Sequence, residues 1–197
     1  MWNSHRVTTT DPLDVAPLAV AVLSLLAERD MHPYEMIQTL RARREDQWVK
    51  LRPASLYHKV DGLVARGLAE VVGTEQDGNR PPRTTYRLTD AGRELLVAWI
   101  SSAITVVENP YFSFSLGELE ALGPERAARL LTERVTVLDE HIAQMRGSLE
   151  QGRNQSAERI WMLAHEHRLA TLTTERDYIA SVVHDIESKE LTWPTSH

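Results

Sequence analysis

Residues 53–67 read PASLYHKVDGLVARG, and the rest of the chain is best understood outward from them. Pro53 suits the first turn of a helix, where its missing N–H has no partner to lose and its fixed φ is already helical. Leu56, Val60, Leu63 and Val64 recur at three- and four-residue spacing, which makes one apolar stripe on a helix over 53–66. Gly67 stands where a left-handed residue stops a helix. The opposite face carries Ser55, Tyr57, His58 and Lys59. No packing need puts these hydrogen-bonding side chains there, and they are of the kind that reads the edges of bases.

Upstream, Val15, Leu18, Val22, Leu25 and Leu26 predict a core helix over 15–29, with Asp14 as its N-cap and Pro17 in its first turn. A shorter helix is expected over about 33–44, with Ile37 and Leu40 inward and arginines in its last turn, where cations suit the helix dipole. Downstream, 68–74 and 84–88 are rich in β-branched residues and leucine and flank EQDGNRPPR at 75–83, a turn-forming, basic segment. That is a hairpin with a long arm. Three helices followed by a basic-tipped hairpin is the winged helix-turn-helix order, in which the third helix enters the major groove of DNA and the hairpin lies along phosphates or in the minor groove.

Charge supports that reading once it is located. The 197 residues carry a formal charge of −6, but residues 1–100 are neutral and all the net acidity lies in 101–197. Within 41–66, Arg41, Arg43, Arg44, Lys50, Arg52, Lys59 and Arg66 outnumber Glu45, Asp46 and Asp61. Residues 78–88 add Arg80, Arg83 and Arg87 with no acid among them. Local field, not the charge of the whole chain, decides where a polyanion docks. The bland alternative is that both patches are solvated faces.

Several function classes are excluded or disfavoured. With no cysteine there is no disulfide framework, no zinc ribbon and no thiol nucleophile. The longest apolar run, 15–27, is broken by Pro17 and Ser24 and falls short of the roughly 20 residues of a membrane helix. No signal-peptide pattern precedes it, so a cytoplasmic protein without a membrane partner is expected. No phosphate-binding loop, nucleophile elbow or dinucleotide fingerprint is present, and the chain is not expected to be an enzyme or to need a cofactor. His165-Glu166-His167 looks metallic, but residues two apart on a helix point to different faces, so no metal site is expected.

Four motifs carry a family resemblance: HPYE at 32–35, PASLY at 53–57, LVARGL at 63–68 and RPPRTTYRLTDAG at 80–92. Over about residues 15–105 the chain resembles the PadR-like transcriptional regulators, and the likeness extends weakly over the C-terminal helices. The resemblance implies a homodimeric, usually repressing, winged-helix regulator of a near-palindromic operator in double-stranded DNA. Position by position it implies DNA contacts from Tyr34, Ser55, Tyr57 and Lys59, and from Arg83 with its wing neighbours Arg80 and Tyr86. Pro33 stands where the family usually has glycine, and Arg52 where it has serine or threonine. Arg52 gives up a side-chain N-cap, at a cost on the order of 1 kcal/mol, and adds a cation beside the phosphates. From the residues themselves, Arg52, Lys59 and the wing arginines would supply phosphate affinity, and Ser55, Tyr57 and His58 register and readout.

The second half reads as helices. Thr89 is an N-cap for a linking helix through Leu95, Leu96, Trp99 and Ile100 to about Val107, followed by an aromatic loop over 108–117 and a turn near Leu119 and Leu122. Pro124 opens a long helix whose Leu131, Val135, Leu138, Ile142, Met145 and Leu149 form a heptad seam. After a break near Gly152, a last helix repeats the pattern with Met162, His165, Leu169, Leu172, Arg176, Ile179, Val183 and Ile186. His165 and Arg176 would fix register or snorkel, the alternative being that they line a ligand cavity. Two such seams pack together and still need a partner surface, for which a second copy is natural.

The expected architecture is therefore mainly α. It has an N-terminal extension (1–14), a winged helix-turn-helix domain with its linking helix and two-stranded wing (15–107), an α-helical antiparallel dimerisation domain (108–190) and a tail (191–197). In multidrug-sensing members of the family an aromatic on the linking helix lines a cavity between subunits, so the resemblance makes Trp99, with Phe112 and Trp161, candidates to stack a small aromatic effector. The plain alternative is that these residues fill core or interface. The rival function is a winged-helix protein-protein module that never touches DNA.

Overall fold

The computed structural model describes residues 12–75 and 83–194. Two compact units are present: Met1–Ala103 with Ser113–Ala121, and Ile104–Phe112 with Leu122–His197.

The first unit opens with a 3-10 turn, Pro12–Asp14, followed by α1 (Pro17–Glu28), α2 (Pro33–Ala42), a second 3-10 turn (Glu45–Gln47) and α3 (Pro53–Ala65). A hairpin of β1 (Ala69–Glu75) and β2 (Arg83–Leu88) leads into α4 (Asp90–Thr105). Apolar residues bury α1 on nearly every side, from Leu18 to Leu26, so it is the central helix of the unit. Asp14 does not cap it. The N-cap position is Ala16 and makes no side-chain bond, because Pro12–Asp14 closes its own turn through the Val15 amide and the Pro12 carbonyl. The cap of α2 is His32, whose Nδ1 accepts from the Glu35 amide at 3.0 Å.

α3 begins at Pro53 and buries Leu56, Val60 and Leu63, with Val64 half-buried. It stops at Gly67, whose φ of +69° lets the Gly67 amide reach the Val64 carbonyl and the Leu68 amide the Leu63 carbonyl, both at 2.9 Å. β1 and β2 pair antiparallel from Ala69 against Leu88 to Glu75 against Arg83, with a bulge between Val71 and Gly73. Met31 and Tyr86 exchange backbone hydrogen bonds of 3.0 and 3.1 Å, which pin the hairpin to the connection between α1 and α2. Thr89 caps α4 as its sequence suggests: its Oγ1 accepts from the Gly92 amide at 3.1 Å and donates to the Gly67 carbonyl at 2.7 Å. Gly92 is there for space, since a Cβ would lie 2.0 Å from the Leu68 carbonyl oxygen.

The expected aromatic loop is partly helical: α5 (Phe112–Gly117) precedes a 3-10 turn at Leu119–Leu122. In the second unit, α6 (Pro124–Asn154) runs unbroken through Gly152, and the break falls between it and α7 (Arg159–Glu187). Of the expected seam on α6, Leu131, Leu138, Ile142 and Leu149 are buried and Val135 and Met145 half-buried. On α7, Leu172, Ile179 and Ile186 are buried. His165 is exposed, and Arg176 bonds Asp139 of α6 at 2.9 Å. Among the described residues, no helix is long and apolar enough to cross a membrane, and no cluster suits a metal ion.

Candidate nucleic-acid interface

Three elements of the first unit converge on one face. His32, Pro33 and Tyr34 at the start of α2, Tyr57 in α3, and Arg83, Thr84 and Tyr86 of β2 line a shallow recess of about 130 Å³. Local chemistry explains each placement. The His32 cap fixes where α2 begins and leaves Tyr34 on its outer side, 58% exposed. The apolar stripe of α3 faces inward, so Tyr57 lies on the outer face, 46% exposed. The Met31–Tyr86 bridge holds β2 against the α2 entry and brings Tyr86 beside both. Partial burial, then the Asp61 carboxylate and Tyr57, holds the Tyr86 phenol above its ordinary value, so it remains a neutral hydrogen-bond donor.

The other candidates on this unit stand outside the recess. Arg52 and His58 are exposed, and Ser55 and Lys59 half-buried. Arg80 lies outside the described residues. Among the described residues, no carboxylate pairs with Arg52, Lys59 or Arg83. Several neighbouring arginines are neutralised. Arg43 binds Glu28 through two hydrogen bonds of 2.5 and 2.8 Å, and Arg29 pairs with Glu35.

Arg87 corrects the expectation of three unaccompanied wing arginines. Its Nε and an Nη reach Asp30 at 3.1 and 2.6 Å, and this ion pair holds the guanidinium pKa above its ordinary value. Asp30 is far from Arg87 in sequence and adjacent in space, because the hairpin docks beside the α1–α2 connection.

The three aromatic candidates have different surroundings, each within its own unit. Trp99 is fully buried in the first unit, its Nε1 donating to the Val15 carbonyl at 3.1 Å and its ring meeting Phe114 edge-on at 5.7 Å. In this chain it is a core residue. Phe112 lies under the Arg134 guanidinium, 3.7 Å from its ring centre, and Trp161 is 75% exposed.

Sequence reading missed two buried charges, Arg134 and Glu118. Arg134 sits four residues after the buried Leu130, a spacing that puts it on the inward side, but an arginine there reads as surface. Glu118 lies between the segment read as loop and the turn near Leu119, and has no periodic signal at all.

A three-helix core with a β-hairpin wing, presenting Tyr34, Tyr57 and Arg83 at one recess, defines a winged helix-turn-helix domain. Residues 22–98 match the model of the Transcriptional regulator PadR-like family, so this domain is PadR-like. Among solved structures, Bacillus subtilis PadR in complex with operator DNA is 19% identical, covering 86% of this chain and 98% of that one with a TM-score of 0.41. The smu.1604c protein from Streptococcus mutans UA159 is 15% identical, covering 86% and 99% with a TM-score of 0.40. Bacillus subtilis PadR in complex with p-coumaric acid is 19% identical, covering 90% and 98% with a TM-score of 0.36. No curated protein matches the chain.

Proposed function

We propose that the chain is a homodimeric repressor that binds a near-palindromic operator in double-stranded DNA. The observation that carries this reading is the convergence of Tyr34, Tyr57, Arg83 and Tyr86 on one recess, on the unit whose Arg52 and Lys59 have no carboxylate partner among the described residues. Gripping phosphates calls for uncompensated positive charge and neutral hydroxyl donors, and a protein-binding wing has no general need of either. Arg52, Lys59, Arg80 and Arg83 supply phosphate affinity. Tyr34 and Tyr86 position the backbone, and Ser55, Tyr57 and His58 tune register and readout.

Pairing of two copies is supported by a contrast within the second unit. Between Ile160 and Ser181 the exposed positions of α7 include Ile160, Trp161, Leu163, Ala164, Ala170, Thr171, Thr174 and Tyr178, with Asp177 their single formal charge. The exposed positions of α6 carry Glu125, Arg126, Arg129, Glu133, Asp139, Glu140, Arg146, Glu150 and Arg153. Depletion of charge is the compositional mark of an interface core. Reading successive half-sites calls for two copies of α3 about one DNA turn apart, roughly 34 Å, and a dimer supplies the second copy. Of the aromatic trio, Trp161 offers the most open indole, and a small aromatic effector that releases the operator would stack there.

A gel-shift titration on the DNA upstream of the chain's own gene, repeated across salt concentrations, tests the reading. Operator binding should weaken steeply and log-linearly as salt rises. Absence of any shift, together with capture of a protein partner through the wing, would establish the protein-protein module instead.

A further inference from the structure

Ser113–Ala121 belongs to the first unit although the chain on either side of it belongs to the second. This strap is held by buried side chains: Phe114 against Trp99, then Ser115, Glu118 and Leu119. Glu118, 6% exposed, is the one buried carboxylate among the described residues. Facing it are Ser24 and Glu28 of α1, Arg43 just after α2, and Glu45 of the following 3-10 turn. Ser24 shares a hydrogen bond with it. Arg43 is the cation of the group, and both of its terminal nitrogens are committed to Glu28. Three carboxyl groups therefore share one guanidinium, and the buried one has the weakest hold on it.

We propose that Glu118 makes the strap a proton-controlled latch: protonated, it stays buried on Ser24, and ionised, with its proton lost to solvent, it is repelled by Glu28 and Glu45 and the strap lifts from α1. Burial first, with Glu45 and Glu28 adding to it, pushes the Glu118 carboxyl up to about 7, while the Ser24 hydrogen bond and Arg43 act the other way. Burial first, with the Glu28 charge adding to it and Arg43 opposing, also raises the Glu45 pKa. A lifted strap exposes the carboxyl to water and returns it toward 4.5. Closure and protonation are thus linked, and the closed-to-open ratio falls by up to about 10²-fold across that interval. The device is independent of what the first unit binds.

Hydrogen exchange on the full chain tests it, read by mass on peptides covering 113–121 and corrected for the intrinsic exchange rate at each pH. Between about pH 5.5 and about pH 8.5 the strap should lose at least roughly tenfold protection while 17–28 of α1 keeps its own. Glu118→Gln should be protected equally at both. Glu45→Gln keeps the latch carboxyl and removes one repelling neighbour, so it should shrink the loss. Wild-type protection that does not change with pH, or a Glu118→Gln strap that loses protection as the wild type does, overturns the proposal.

Discussion

Arg83 on the wing and Arg134 in the helical pair put the same side chain to opposite uses. Arg83 is exposed, with no carboxylate partner among the described residues. Arg134 is 1% exposed, and every nitrogen of its guanidinium is occupied. Its Nε and one Nη bond Glu175 at 2.9 and 2.5 Å, and the Nη atoms reach the carbonyls of Ile104, Val106 and Val107 at 2.7, 2.9 and 3.1 Å. Those carbonyls lie where α4 ends and would otherwise lack helical donors. One arginine is exposed and, among the described residues, meets no acid. The other is structural because the fold answers it completely. Counting cations along a sequence cannot separate the two, and the position of their acids can.

The largest test removes the answered charge. Arg134→Met should cost about 3–5 kcal/mol, because Glu175 and three carbonyls lose their donor together. Urea denaturation reads this directly. Adding Glu175→Leu to Arg134→Met should recover part of the loss, since replacing both partners of a buried pair costs less than orphaning one. If the double variant is no more stable than the single one, the guanidinium acts through its carbonyl bonds and its stacking on Phe112 instead of its ion pair.

The same comparison explains what was legible in the sequence. Local rules gave α1, α3 and the hairpin, because apolar periodicity, Pro53 and Gly67 act within a few residues of themselves. They also put Tyr57 and Arg83 on outward positions, while Tyr34 and Tyr86 came from the family resemblance, and the four meet at one recess. The role of Arg87 was hidden because its partner Asp30 is 57 residues away. Asp14 failed as a cap because the preceding turn is closed by backbone, which side-chain propensity does not report. Trp99 was readable as helical and apolar, but whether it faces a cavity or a core depends on Val15 and Phe114, from two other segments. Glu118 was unreadable for the same reason, since the groups that perturb it come from two distant stretches of chain, 24–28 and 43–45.

Glu118 inverts the case of Arg134: it is a buried carboxyl whose one nearby cation among the described residues, Arg43, is already paired with Glu28. Its carboxyl titrates near 7 in the native chain against an ordinary 4.5, so the native state binds the proton more tightly than the unfolded one. The stability it lends is fully present below about 4.5 and is lost as pH rises through about 7. Glu118→Gln removes that dependence. The gap between variant and wild type should widen from pH 4.5 to 7 and leave the variant more stable above it, by about 3 kcal/mol at most. Urea midpoints at several pH values check the sign. A variant that loses stability as steeply as the wild type over this range would move the titration to another group.

The smallest effects lie on the wing, where Arg83 and Arg87 point the comparison at DNA. Arg83→Ala should weaken binding to every sequence by roughly tenfold and lower the salt slope by about one, the signature of one lost phosphate contact. Arg87→Ala, four residues along the same strand, should leave the slope unchanged, because Asp30 already answers that charge and no counterion is released from it on binding. Asp30→Asn then sharpens the pair. With its acid removed, Arg87 should become available to phosphate, raising affinity and steepening the slope toward one further contact. If Arg87→Ala and Arg83→Ala lower the slope alike, Asp30 does not withhold Arg87 from the backbone, and proximity to the groove outweighs pairing in deciding which arginines bind.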